Sequence, residues 1–287
     1  MSVITAKTAG FCFGVKRAVD KVYDCISSGR KIFTLGPIIH NNEVVKDLES
    51  KGVITLNNID EIEKVKDGVL IIRSHGVSRD VYDLLKKNKI EYIDMTCPFV
   101  LRIHDIVYKE SENSHIVIAG SQVHPEVVGI CGWCLDVPTV IETTEQALDY
   151  SLEANDNKGI TLVSQTTFNL NKFKEFVEIF KKKGYDVNVV NTICDATQRR
   201  QQEAANIASK VDTMIVIGDK SSSNSKKLYD ICCEECSDTY FVQKLSELKL
   251  DAAQDYKSDK HMFGITAGAS TPNKLIEEVQ NYVRTNF

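Results

Sequence analysis

No apolar run in the 287 residues approaches the roughly 20 that a membrane-spanning helix needs. The longest weakly polar stretch, Val127 to Leu135, is nine residues and holds two glycines and two cysteines. The first residues, MSVITAKTAGFCFGVKRAVD, lack the charged-then-apolar order and the small-residue cleavage site of a secretory signal, so a cytoplasmic protein is expected. Positive charge is not in excess: 35 Lys+Arg against 40 Asp+Glu give −5, which argues against bulk capture of nucleic acid. Neither a G-x-x-x-x-G-K-[ST] phosphate loop nor a G-x-G-x-x-G fingerprint occurs, so a nucleotide is not expected. There is no Pro/Gly/Ser-rich linker and no low-complexity segment. Cysteine is too sparse for a disulfide scaffold, and nine is odd, so full pairing within one chain is excluded. In a reducing compartment the thiols are buried, metal-ligating or catalytic.

What is present is ordinary in bulk, 43% hydrophobic and 26% charged, and long enough for about two average domains. The order of its segments is less ordinary. Cys12, Cys97 and Cys194 each follow an apolar, strand-like stretch (SVITAKTAG, IEYIDMT, YDVNVVNTI) and precede a helical pattern. After each helix a short strand ends in glycine: Gly36 lies 24 residues beyond Cys12, Gly120 lies 23 beyond Cys97, and Gly218 lies 24 beyond Cys194. Four residues past these glycines stand His40, His124 and Ser222; six past stand Asn42, Glu126 and Asn224. A third strand in each repeat, in VLIIRSHG, ITLVSQTT and FGITAGAS, ends in small polar residues and enters a helix.

Strands alternating with helices imply parallel sheets with function at the strand C-terminal ends. The expected fold is therefore α/β: three similar modules with mostly parallel sheets, arranged with pseudo-threefold symmetry. The modules span 14–96, 97–193 and 194–287, the third sheet being completed by the N-terminal strand within 1–13. Such an arrangement brings three cysteines together. Three thiolates suit a [4Fe–4S] cluster with one iron lacking a protein ligand, or a three-cysteine zinc site with an open position. Helix N-termini favour thiolates and anions alike. Serine, threonine, asparagine and histidine tips point to an anionic ligand. Glu126, the one carboxylate among three equivalent positions, is the candidate for proton transfer.

The segments GFCFGVKRAV, HNNEVV, RSHGVS, DMTCPFV, HPEVVG, SQTT, ICDAT, SSSNS and TAGASTP, in order from Cys12 to Pro272, resemble the signature blocks of the 4-hydroxy-3-methylbut-2-enyl diphosphate reductases. The resemblance implies three modules around one [4Fe–4S] cluster per chain, held by Cys12, Cys97 and Cys194 with one open iron. It implies a substrate surrounded, mostly at its diphosphate, by His40, His75, His124, Thr166, Ser222, Ser223, Asn224 and Ser270, with Glu126 and Thr166 in the proton relay. The implied reaction is reductive dehydration to isopentenyl and dimethylallyl diphosphates, ending the non-mevalonate isoprenoid pathway. Reduced ferredoxin or flavodoxin is the implied electron donor, with no nucleic-acid or membrane partner.

Several features invite other readings. Cys131-Gly-Trp-Cys134 has a redox-like spacing and Cys232-Cys233-x-x-Cys236 a metal-like one, but neither falls at a repeated position, nor does Cys25; all six are expected to be plain thiols. Basic residues recur about one turn after each repeated cysteine (Lys16-Arg17, Arg102, Arg199-Arg200), either as a docking face for an acidic donor or as solvated helix surface. Ser222 is expected to cap a helix as well as touch phosphate; Ser270 is a phosphate contact or the cap of the last helix. Two rivals stand beside the reductase. A three-cysteine dehydratase of the quinolinate synthase type would seek arginine for a carboxylate substrate. A non-enzymatic iron–sulfur sensor or RNA-binding protein is opposed by the acidic balance.

Overall fold

The computed structural model describes residues 2–152, 158–250, 256 and 261–287. The chain opens with β1 (Ser2–Thr5) and α1 (Phe13–Ser27). Then come β2 (Ile32–Leu35), α2 (Asn42–Ser50), β3 (Ile54–Leu56), β4 (Val69–Ile72), α3 (Arg79–Lys87), β5 (Tyr92–Asp94) and α4 (Pro98–Glu110). The same succession returns in β6 (Ser114–Ala119), α5 (Pro125–Cys131), β7 (Thr139–Ile141), α6 (Thr144–Asp149), β8 (Gly159–Ser164), α7 (Leu170–Lys182), β9 (Val187–Val189) and α8 (Asp195–Ala208). It returns again in β10 (Thr213–Ile217), α9 (Ser223–Glu235), β11 (Thr239–Val242), β12 (Met262–Ala267) and α10 (Asn273–Asn286).

Three four-stranded sheets result, in the orders β3-β2-β4-β5, β7-β6-β8-β9 and β11-β10-β12-β1, and every pairing is parallel. The strand order is one pattern used three times. In the third sheet β1 takes the place that β5 and β9 hold in the others, pairing Ser2 with Met262 through Thr5 with Ile265. The chain divides into two compact units. One comprises Met1–Lys16, Ile39–Val45 and Asp195–Phe287 and contains the third sheet; the other comprises Arg17–Ile38 and Lys46–Cys194 and contains the first two. Among the described residues no helix is long and apolar enough to cross a membrane.

Strand sequences such as TMIVI are apolar at nearly every position because both faces are covered. In the third sheet Ile215 and Ile217 point to one side, against Val279 and Val283 of α10. Met214 and Val216, offset by one residue, point to the other, against Ala204 and Ile207 of α8 and Leu228 of α9. The second sheet repeats this. Val117, Ile160 and Leu162 pack on Phe173, Phe176 and Phe180 of α7, while Ile116, Ile118 and Val163 pack on α4 and α5. Each buried phenylalanine of α7 contributes about 2 kcal/mol of apolar burial. The helices carry matching stripes, as in α1, where Ala18, Val19, Val22 and Cys25 are buried.

The repeated glycines have one cause. Each donates its N–H to the end of the neighbouring strand: Gly36 to Leu56 O (2.8 Å), Gly120 to Ile141 O (2.9 Å) and Gly218 to Val242 O (2.9 Å). Each also lies under side chains that a methyl group would strike or crowd: the Arg73 guanidinium over Gly36, Val127 with Gln165 over Gly120, and Ser225 over Gly218. A Cβ at Gly218 would stand 2.6 Å from Ser225 Cβ, whereas at Gly129 the nearest atom would be 3.6 Å away. Gly218→Ala should therefore cost about 1–3 kcal/mol in thermal or denaturant unfolding, while Gly129→Ala should be nearly neutral; equal effects would contradict the steric account.

Candidate active site

Each repeated cysteine sits where the fourth strand of a sheet hands over to a helix. Its N–H is bonded to the second residue past the end of the third strand: Cys97 to Ser74 O (3.0 Å), Cys194 to Thr166 O (3.1 Å) and Cys12 to Ala269 O (3.2 Å). Three structurally equivalent bonds thus fix three thiols just before α1, α4 and α8. None of the three is in a disulfide and all are partly exposed; Cys97, at the N-cap of α4, makes no capping bond through its sulfur. They fit a thiolate-liganded group. Cys97 and Cys194 belong to one compact unit and Cys12 to the other.

The remaining cysteines differ. Cys25, Cys232 and Cys236 are buried, and the Cys236 thiol lies 3.5–3.7 Å from the carbonyls of Val211, Asp212 and Asp238. Burial pushes Cys232 and Cys134 up to about 12 and raises Cys131 and Cys236. These four are held as protonated thiols, which suits packing better than metal binding.

Glu126, in the first turn of α5, is 2% exposed. Its Oε1 accepts the Thr166 N–H (2.5 Å) and its Oε2 the Thr166 hydroxyl (2.7 Å). The Thr166 carbonyl accepts from Cys194, so carboxylate, hydroxyl and cysteine form one chain of contacts. Thr166, not Thr167, meets Glu126; Thr167 instead accepts from the Gln165 side-chain amide (2.7 Å). His124 caps α5, its Nδ1 accepting the Glu126 N–H at 3.1 Å. That leaves the neutral ring's proton on Nε2. The rings of His124 and His75 meet edge to face with centroids 5.6 Å apart.

In the other unit His40 precedes α2. Asn41 donates to Ser270 O (2.9 Å) and accepts from the Val44 N–H (3.2 Å), while the Ser270 hydroxyl donates to His40 O (2.8 Å). Ser270 therefore holds the His40 loop and does not cap α10, whose N-cap is Pro272. Ser222 caps α9 by accepting the Ser225 N–H (3.3 Å), and Ser223 opens the helix. Asn224 is 5% exposed, and its Nδ2 has no hydrogen-bond partner among the described residues. A buried amide donor left open at a helix start fits an incoming anion.

The basic residues after the cysteines do not act as a set. Arg200 is 3% exposed and clamps the backbone, donating to Ala267 O (2.7 Å) and Gly10 O (2.8 Å). Arg17 donates to Thr96 O (2.6 Å). Lys16, Arg102 and Arg199 are exposed.

Parallel α/β sheets carrying cysteines, a buried carboxylate and hydroxyl or imidazole tips at their C-terminal edges place the chain in the class of α/β proteins that work at the ends of their strands. Comparison with known proteins narrows the class. The LytB protein family model matches residues 3–284. The 4-hydroxy-3-methylbut-2-enyl diphosphate reductase of Thermoanaerobacter sp. (strain X514) is 44% identical over 288 residues, covering 99% of this chain and 97% of that protein. The solved E-1-hydroxy-2-methyl-but-2-enyl-4-diphosphate reductase from Plasmodium falciparum superimposes with a TM-score of 0.87 at 29% identity, over 99% of this chain and 87% of that one. A second solved structure, of an (E)-4-hydroxy-3-methyl-but-2-enyl diphosphate reductase described as the terminal enzyme of the non-mevalonate pathway, gives 0.69 at 37% identity over 99% of both chains. The chain belongs to the LytB family, whose members are iron–sulfur enzymes.

Two contributors escaped the sequence reading. Asp219, one residue past the repeated Gly218, is buried and accepts from the Ser221 N–H (2.8 Å), the Ser221 hydroxyl (2.7 Å) and the Asn42 N–H (3.0 Å). Burial works against its charge, but these donors and nearby His40 hold it below the usual carboxylate range. The other is a half-buried tryptophan on a buried histidine. Trp133 donates to Val77 O (3.0 Å) and stacks on His104 of α4, with centroids 5.2 Å apart and planes 15° apart.

Desolvation pushes His104 down to about 4. The unfolded chain therefore takes up this proton below about pH 6.5 while the folded one does not, and stability falls as pH drops toward 4. The loss reaches on the order of 3 kcal/mol. Chemical unfolding followed by the single tryptophan should show this slope, and His104→Phe should flatten it.

Proposed function

We propose that this chain catalyses the reductive dehydration of (E)-4-hydroxy-3-methylbut-2-enyl diphosphate to isopentenyl and dimethylallyl diphosphates, the last step of the non-mevalonate isoprenoid pathway. The observation that carries the reading is the run of contacts from the buried Glu126 carboxylate through Thr166 to Cys194, placed where the repeat puts its thiols. Cys12, Cys97 and Cys194 would hold one [4Fe–4S] cluster per chain as thiolates. When bound, such a cluster supplies electrons singly and an iron without a cysteine ligand as a Lewis acid for the substrate hydroxyl.

The protein's own groups do the rest. The diphosphate is held by donors: the Asn224 amide, the hydroxyls of Ser222 and Ser223 at a helix start, and the imidazoles of His40, His75 and His124, with Ser270 joining by turning its hydroxyl away from His40 O. Glu126 stores the proton in a site away from water. Thr166, 2.7 Å from Glu126 Oε2, passes a proton to the departing hydroxyl and is resupplied by the carboxyl, so that water leaves; two electrons and a second proton, delivered to either end of the allyl unit, complete the two products. Reducing equivalents come from a reduced ferredoxin or flavodoxin. None of the nine cysteines is in a disulfide, which suits a reducing cytoplasm.

The reading is tested by purifying the protein without oxygen, measuring iron and sulfide, and following consumption of the hydroxylated diphosphate with a reduced viologen. About four of each per chain and steady turnover are expected; a colourless, iron-free, inactive protein would sink the proposal. Glu126→Gln should keep its iron and bind substrate normally, yet lose about 10²- to 10⁴-fold in turnover. Near-normal turnover would remove the acid role.

A further inference from the structure

Arg73 is the first residue past β4, two positions before His75. Its guanidinium lies across Gly36, where any side chain would collide with it. Among the described residues it makes no hydrogen bond and no ion pair, and its Nε is buried without a partner. Asp94, which ends the neighbouring β5, does not neutralise it. That carboxylate accepts the Thr96 N–H (2.8 Å) and hydroxyl (2.5 Å) on Oδ1 and the Tyr82 hydroxyl (2.9 Å) on Oδ2. Desolvation brings Arg73 down to about 10, so it is still charged at neutral pH. A desolvated cation with no counter-charge costs folding free energy.

The repeat shows that the fold does not need this cation. The equivalent positions, one residue past the third strand of each sheet, are Gln165 and Gly268. Gln165 Oε1 accepts the N–H of Ser121 (3.3 Å), the residue after the repeated glycine. In the first module that residue is Pro37, which has no N–H to satisfy. A neutral side chain, or none, serves in the other two modules. The first module alone carries a guanidinium, at the sheet edge that also presents His75.

We infer that Arg73 is a binding residue for the phosphate oxygens of the substrate, the one permanent positive charge within a set of otherwise neutral donors. The inference rests on the reductase reading for the identity of the ligand. An anion arriving at this edge supplies the missing counter-charge and accepts from the planar fork of donors, as phosphate does from arginine elsewhere. The cost of the bare cation in the free protein is then recovered on binding.

The test uses the iron-loaded enzyme, with inorganic pyrophosphate as the probe. Arg73→Gln should weaken pyrophosphate binding about tenfold or more, as expected for losing a charge-assisted contact. KM for the hydroxylated diphosphate should rise in parallel, with kcat changed far less. Arg73→Lys should fall between. The thermal midpoint of the ligand-free Arg73→Gln protein should be unchanged or raised. Pyrophosphate affinity within twofold of the parent would overturn the inference, as would a glutamine variant that fails to fold, because the guanidinium would then be a structural filler. If the parent binds pyrophosphate, with the Arg73 dependence, but does not consume the hydroxylated diphosphate, the reductase reading falls and the anion site stands.

Discussion

Three hydrogen bonds, from the amides of Cys12, Cys97 and Cys194 to a carbonyl two residues past a neighbouring strand, set the terms for the rest of the molecule. Each needs a parallel sheet, because only there do the ends of adjacent strands lie side by side with their carbonyls free for an incoming turn. Each makes the start of a helix the next event in the chain. A thiol at that point is positioned by its own backbone turn, at the start of the helix. In the second module the carbonyl belongs to Thr166, whose other polar groups both face Glu126; thiol position and acid position are there one constraint.

The fold was legible because that constraint leaves a mark along the chain. Strand, cysteine, helix, strand and glycine must recur at nearly constant intervals when the same sheet is built three times, and the intervals of 24, 23 and 24 residues record it. The glycines recur for a reason the sequence does not spell out: a different side chain, Arg73, Gln165 or Ser225, leans over each. Grouping was less legible. Three similar sheets form two compact units, and the short segment Ile39–Val45 joins the unit of the third sheet, away from the strand that precedes it. Nothing in a period of about a hundred residues announces such a division.

The candidate site was legible where chemistry and register coincide, as at Glu126 or Ser222, and hidden where partners are distant in sequence. Asp219 takes its place by accepting from Asn42, 177 positions away, and Ser270 by donating to His40, 230 positions away. Arg200 stands one turn past a repeated cysteine and so looked like surface; its partners, Gly10 and Ala267, are fixed only when the third sheet closes. Arg73 and Trp133 carry no periodic signal at all. Their importance is a matter of what surrounds them, a desolvated charge in one case and a stacked imidazole in the other.

The third sheet is closed by a strand from the other end of the sequence, Ser2 pairing with Met262. During synthesis, β1 and Cys12 precede β12, the carbonyl of Ala269 and the clamp of Arg200, and must wait for them. Contacts of such long sequence separation form late. The first of the three repeated cysteines in the sequence is therefore held by contacts that only the far end of the third repeat can supply.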